Sequence, residues 1–218
     1  MPHFFAARDG DRVEISGADA RHLARSLRAR PGELIAVVAP EGRLLSVRLV
    51  SVSPELVTGL VEAEREHRPE PPRAIHLAVA MLPAAALDLV LSRCTEAGAA
   101  SFTLVAAERS VSRVGRPERW AAICREAAML AGRLRVPEVA GPIAFEVAWR
   151  GAAEPRLLHL AGEPIAPQPD GATLFIGPEG GWTDAELGVA SALQRLSLGP
   201  RNLRADTAAL AGLVLALA

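Results

Sequence analysis

Hydrophobic and polar positions alternate in short runs through the first third of the chain. Residues 12–15, 33–38, 44–52 and 56–63 mix aliphatic and polar side chains, and Pro31-Gly32 and Glu41-Gly42 supply turns between them. This pattern predicts a small β-barrel. Between the first two runs, Ala20, Leu23 and Leu27 recur at helical spacing over residues 18–30, with Arg21, Arg25 and Arg28 forming a basic stripe. Arg68-Pro69-Glu70-Pro71-Pro72-Arg73 then interrupts the pattern, and consecutive prolines favour an extended, semi-rigid segment. We therefore place one domain at 1–68, a linker at 68–73 and a second domain at 74–218.

Beyond the linker the rhythm becomes strand then helix. Apolar strands are predicted at 74–80, 101–106, 157–160, 173–177 and 195–198, and helices at 86–97, 117–131, 183–194 and 207–218, with Gly98 and Gly132 closing the first two helices. This alternation implies an α/β domain with a mostly parallel sheet covered on both faces.

Composition narrows the chemistry. A 218-residue chain that is 50% hydrophobic can build a small and a medium domain, and a formal net charge of -1 means that any basic surface must be local. Every one of the 24 basic residues is Arg; without Lys there is no Walker A loop, Schiff base or Ser-x-x-Lys nucleophile. Cys94 and Cys124 form no CxxC and the five His show no HExxH spacing, so neither a disulfide framework nor a metal site is expected. Residues 1–11 lack the apolar core of an ordinary signal peptide, and the uncharged run 207–218 is too short to cross a bilayer, so a cytoplasmic protein without a membrane segment is expected.

Two loops carry the candidate chemistry. A buried strand leads into Gly177-Pro178-Glu179-Gly180-Gly181, after which Thr183 and Glu186 form a capping-box signature that starts a helix. On its own this describes a tight strand-to-helix turn as well as it describes a ligand site. A second loop of the same type, Leu198-Gly199-Pro200-Arg201-Asn202-Leu203-Arg204, again follows a strand and precedes a helix. Loops at the carboxyl ends of neighbouring parallel strands form a pocket. The spacing is neither GxGxxG nor a P-loop, so a ligand read by backbone groups, such as an adenine and a sulfonium, fits better than a pyrophosphate.

The pair LFIGPEGG (174–181) and LGPRNLRADTA (198–208) resembles the RsmE family, 16S ribosomal RNA uridine-N3 methyltransferases of the trefoil-knotted SPOUT superfamily. HLARSLRARPG (22–32), RCTEAG (93–98), ERS (108–110) and GRLRVPE (132–138) are similar to further motifs of that family. The resemblance implies a SPOUT α/β domain preceded by a PUA-like barrel, a homodimer, and S-adenosylmethionine as methyl donor. It places Leu160, Gly177, Pro178, Glu179, Gly181, Leu198, Gly199, Leu203 and Arg204 at the donor, and it implies 16S rRNA of the small ribosomal subunit as partner. The chain departs from the family pattern at 83–86, at Leu130 and at Asp206.

Methyl transfer from a sulfonium is one in-line displacement, which requires positioning and charge stabilisation but no metal or covalent nucleophile. Arg204 is the candidate catalytic residue for stabilising charge on the acceptor base, with a helix-end role as the alternative, and Asp206 is expected to cap the last helix. Arg21, Arg25, Arg28, Arg109, Arg133 and Arg201 are the candidate RNA contacts, in local basic tracts at 21–30 and 108–135 and in the second loop. Two other readings stay open: a SPOUT enzyme methylating a transfer-RNA ribose, and a non-catalytic rRNA-binding or assembly factor.

Overall fold

The structure, a computed structural model, describes residues 2–111 and 115–218, which group into two compact units. The first comprises Met1–Glu70 and Ala128–Arg135, the second Pro71–Ala127 and Val136–Ala218. Residues 128–135 thus pack with the first unit, whereas a division at the proline-rich segment assigns them to the second.

The first unit contains β1 (His3–Phe5), β2 (Arg8–Asp9), β3 (Arg12–Ser16), α1 (Gly17–Arg21), β4 (Leu34–Ala39), β5 (Arg43–Val52) and β6 (Leu56–Glu66). They form one sheet in the order β1-β4-β5-β6-β3-β2, antiparallel except for the β1–β4 pair. The alternation along β3 and β5 puts Val13, Ile15, Leu45 and Val47 into a core with Phe4, Leu23, Ile35 and Met129. Strands β1 and β2 are too short to leave a periodic signal.

The helix predicted over 18–30 is shorter than its hydrophobic spacing suggests. After Arg21 it widens into a π-helical turn, His22–Ser26, where the Leu27 amide donates to the His22 carbonyl at 3.0 Å. Arg28 then adopts a left-handed φ of 53°, so the basic stripe breaks after Arg25 and Leu27 is exposed.

In the second unit, β7 (Ile75–Ala80), α2 (Ala84–Glu96), β8 (Ser101–Ala106), α3 (Pro117–Ala131), β9 (Glu138–Ala144), α4 (Phe145–Gly151), β10 (Pro155–Pro164), β11 (Ala172–Ile176), α5 (Asp184–Gly188), β12 (Arg195–Ser197) and α6 (Ala205–Leu217) follow one another, the last four residues of α3 belonging to the first unit. All pairings in the sheet β12-β10-β11-β7-β8-β9 are parallel. Successive strand residues feed opposite faces. Leu77, Val79, Leu174 and Ile176 pack with α2 and α6, while Ala78, Ala80, Phe175 and Leu157 pack with Phe145 and Trp182. Cys94 and Cys124 are buried in the first of these layers and form no disulfide, and burial pushes the Cys94 thiol up to about 12, so it is a neutral packing group.

In this unit two predicted elements differ in extent and two further elements are present. The helix expected over 183–194 stops at Gly188 and resumes only as a single 3-10 turn at Ala192–Gln194. Strand β9, which has no fully buried residue, and the seven-residue helix α4 are additions to the elements the hydrophobic pattern predicts. The strand read as ending at residue 160 continues to Pro164, with a register break against β12 between Leu158 and Glu163.

Gly59 of β6 shows how tightly the first sheet is built. A Cβ there would lie 2.4 Å from Val47 Cγ1 and 2.9 Å from the Arg48 carbonyl oxygen. Gly59→Ala is expected to destabilise the protein by about 1–3 kcal/mol through overpacking, measured as a lowered midpoint in urea unfolding.

Candidate active site

Strands β10, β11 and β12 are neighbours in the sheet, and the loops after β11 and β12, together with residues 158–160 within β10, surround a cavity of about 420 Å³. All nine residues assigned to the donor line it: Gly177, Pro178, Glu179 and Gly181 after β11, Leu198, Gly199, Leu203 and Arg204 after β12, and Leu160 on β10. Arg201, expected among the RNA contacts, lines the same cavity.

The register break in β10 supplies the third wall. Leu158 pairs with Leu196 and so does Glu163, so the four residues between them leave the ladder and carry Leu160 to the cavity. Gly162 permits this return, since a Cβ would stand 2.6 Å from the backbone of Arg195 and Leu196. His159 and Leu158 also line the cavity, and the Ala161 amide donates to His159 Nδ1 at 3.2 Å.

Trp182 joins two of the walls. Its indole N–H donates to the Leu158 carbonyl at 3.3 Å, and its ring lies against Gly177, where a Cβ would be 3.0 Å from Cε2. Trp182 is not among the residues that the motifs point to, although a large apolar side chain inside a turn is a visible signal. Nor are Leu158 and His159, because their place depends on the register break.

Glu186 holds the glycine loop at its base. The capping box is formed as predicted, with Thr183 Oγ1 accepting from the Glu186 amide at 3.3 Å and Glu186 Oε2 accepting from the Thr183 amide at 2.9 Å. Its other oxygen accepts from the Glu108 amide at 2.9 Å, which ties the loop after β8 to the loop after β11. Arg109 Nη1 crosses in the opposite sense, donating to the Gly180 carbonyl at 3.0 Å and the Trp182 carbonyl at 3.3 Å.

Two expectations are corrected. Arg133 is only 5% exposed and its guanidinium is paired with Glu70 at 2.5 Å, so it is a structural cation inside the first unit and not a surface contact for RNA. Glu70 also accepts from the Leu134 amide at 2.9 Å, so this part of the proline-rich segment is pinned. Asp206 does not cap α6; the N-cap is Arg204, and Asp206 sits in the first turn, where its carboxylate favours the amide-rich end of the helix. The Arg204 Nε lies 3.5 Å from Asp206 Oδ1, with the Arg204 side chain 76% exposed at the cavity mouth. Arg21, Arg25 and Arg28 are exposed on the first unit and, among the described residues, have no carboxylate partner, whereas Arg43 and Arg48 are paired with Glu64 and Glu62.

Residues 69–217 match the model of the RNA methyltransferase domain family. The ribosomal RNA small subunit methyltransferase E of Synechocystis sp. is 32% identical over 212 residues, covering 90% of this chain and 69% of that protein. The protein of the same name from Mycobacterium bovis is 32% identical over 219 residues, covering 89% and 82%. A solved structure of a ribosomal RNA small subunit methyltransferase E from Neisseria gonorrhoeae, bound to S-adenosyl methionine, is 28% identical with a TM-score of 0.86, covering 98% of this chain and 95% of that one. The parallel sheet and its loop cavity are thus those of an RNA methyltransferase domain. The chain belongs to the ribosomal RNA small subunit methyltransferase E family.

The buried Glu186 carboxylate offers a direct test of the loop architecture. Glu186→Gln places an amide NH₂ against a backbone N–H and is expected to cost about 1–3 kcal/mol, read from urea unfolding.

Proposed function

We propose that this protein transfers a methyl group from S-adenosylmethionine to N3 of a uridine in 16S rRNA of the small ribosomal subunit. The observation that carries the proposal is that both motif loops and the β10 excursion meet in one cavity. Its volume of about 420 Å³ lies in the range of small-molecule sites, roughly 300–1,000 Å³. Leu158, Leu160 and Leu203 offer apolar walls for an adenine, and Gly177, Gly181 and Gly199 leave backbone without side chains. Glu179 on the one hand and Arg201 and Arg204 on the other supply charges of both signs, suited to a donor that carries a cationic sulfonium and a carboxylate.

Bound there, the donor supplies an electrophilic methyl group on its sulfonium. The remaining work falls to residues of the chain. Gly177, Gly181, Leu198, Gly199 and Leu203 would hold the donor as it supplies its methyl group to the acceptor N3, whose proton would pass to solvent. Arg204, exposed at the mouth, stabilises the negative charge on the base as the proton departs, and Asp206 orients its guanidinium. Arg21, Arg25 and Arg28 on the first unit contact rRNA phosphates, in keeping with their exposure and lack of carboxylate partners among the described residues. We assign the first unit as a PUA-like barrel and the second as the trefoil-knotted SPOUT domain, in a cytoplasmic protein.

Arg204→Ala is expected to lower the methylation rate about 10²-fold at saturating RNA. Arg25→Ala with Arg28→Ala is expected to leave donor affinity unchanged and to reduce the slope of log affinity against log salt by about 2, measured on small ribosomal subunits. No donor binding in calorimetry would overturn the enzyme assignment.

The homodimer is proposed on the surface of α6 and its surroundings. Val214 and Leu215, in the uncharged stretch 207–217 of this helix, are 50% and 44% exposed. Light scattering at micromolar concentration is expected to give twice the chain mass, and Leu215→Glu to shift it toward the monomer.

A further inference from the structure

Arg109 occupies an unusual position for a residue of the basic tract. Its Nη1 is committed to two carbonyls of the glycine loop, those of Gly180 at 3.0 Å and Trp182 at 3.3 Å. Gly180 is pressed against it, since a Cβ there would meet Arg109 Cβ at 3.2 Å and Cδ at 3.5 Å. The side chain is nevertheless exposed, and among the described residues its Nε and Nη2 have no hydrogen-bond or ion-pair partner. One guanidinium therefore has an inner edge on the loop that walls the cavity and an outer edge open to an anion. Planar guanidinium can serve both at once, in a way an ammonium cannot.

We propose that Arg109 is a positioning residue that couples RNA docking to donor binding: a backbone phosphate of the RNA takes the outer edge while the inner edge holds Gly180 and Trp182. The inference rests on the reading of the protein as an S-adenosylmethionine-dependent rRNA methyltransferase. The physical link is short. A phosphate on Nε and Nη2 fixes the guanidinium plane, and a fixed plane holds the two carbonyls that shape the loop bearing Gly181 and the Trp182 ring, both of which line the cavity. Glu186 holds the adjacent Thr183 amide and, through the Glu108 amide, ties the loop to the segment that carries Arg109, so a shift of the Arg109 guanidinium is passed directly to the loop. Coupling of this kind is reciprocal, so donor must tighten RNA by the factor with which RNA tightens donor.

The test is equilibrium dialysis of labelled S-adenosylhomocysteine against the full-length protein, with and without small ribosomal subunits assembled on unmethylated rRNA. For the unaltered protein, subunits are expected to tighten S-adenosylhomocysteine by about fivefold or more. Arg109→Ala is expected to weaken it and to bring the ratio of affinities with and without subunits to one. Arg109→Lys keeps a cation for the phosphate, so subunit affinity is expected to stay within about twofold while the ratio again falls toward one. Urea unfolding of both variants accompanies the measurement, so that loss of fold is scored separately. A ratio that stays at its original value in Arg109→Lys, or a ratio of one in the unaltered protein that still binds S-adenosylhomocysteine, overturns the coupling and leaves the enzyme assignment standing. Absence of S-adenosylhomocysteine binding in the unaltered protein overturns both.

Discussion

Strand β11 has no side chain facing solvent: all five residues from Ala172 to Ile176 are buried, between β10 on one side and β7 on the other. A parallel strand buried on both faces has only its ends in contact with water, and its carboxyl end is where the chain must turn. Everything that defines the site follows from that turn. Gly177 lets the chain leave the sheet under Trp182, Gly181 takes a left-handed φ of 71°, and Thr183 and Glu186 start a helix at once. The turn after β12 and the excursion within β10 stand beside it in the same sheet, and all three close on one cavity.

Order at this site comes from hydrogen bonds to backbone in addition to the packing of Trp182 against Phe145. Glu186 accepts from two amides on different loops, Arg109 donates to two carbonyls, and the Trp182 indole donates to a third element. Each of these side chains satisfies backbone groups that a turn leaves without a ladder partner. A loop with three glycines would otherwise be costly to order, since glycine loses more conformational freedom than any other residue on folding.

Much of this arrangement was legible before any coordinates. The strand into Gly177, the capping box and the second glycine-proline loop were local signals, written in consecutive residues, and the predicted cofactor residues all reached the cavity. What escaped was non-local. The continuation of β10 to Pro164 depends on pairing with β12, more than thirty residues away, and no periodicity in 155–164 announces a register break. Arg133 reads as one arginine in a basic tract; only its contact with Glu70, sixty-three positions earlier, turns it into a buried ion pair. The basic stripe over 18–30 failed for a local reason of another kind: a π-helical turn changes the angular spacing of Arg25 and Arg28 without altering the sequence pattern.

The return of residues 128–135 to the first unit also sets an order of events during synthesis. Met129 completes the core around Phe4 and Leu23, and Glu70 finds its partners only in Arg133 and Leu134. A domain that folds as a unit while the chain emerges amino end first must wait for its last member. All six strands of the amino-terminal sheet are made by residue 66, yet the core packed against it stays incomplete while more than fifty further residues are added, including β7, α2 and β8 of the second unit. The two units do not mature one after the other like beads on a string; the translating ribosome has to deliver half of the second before the first can close.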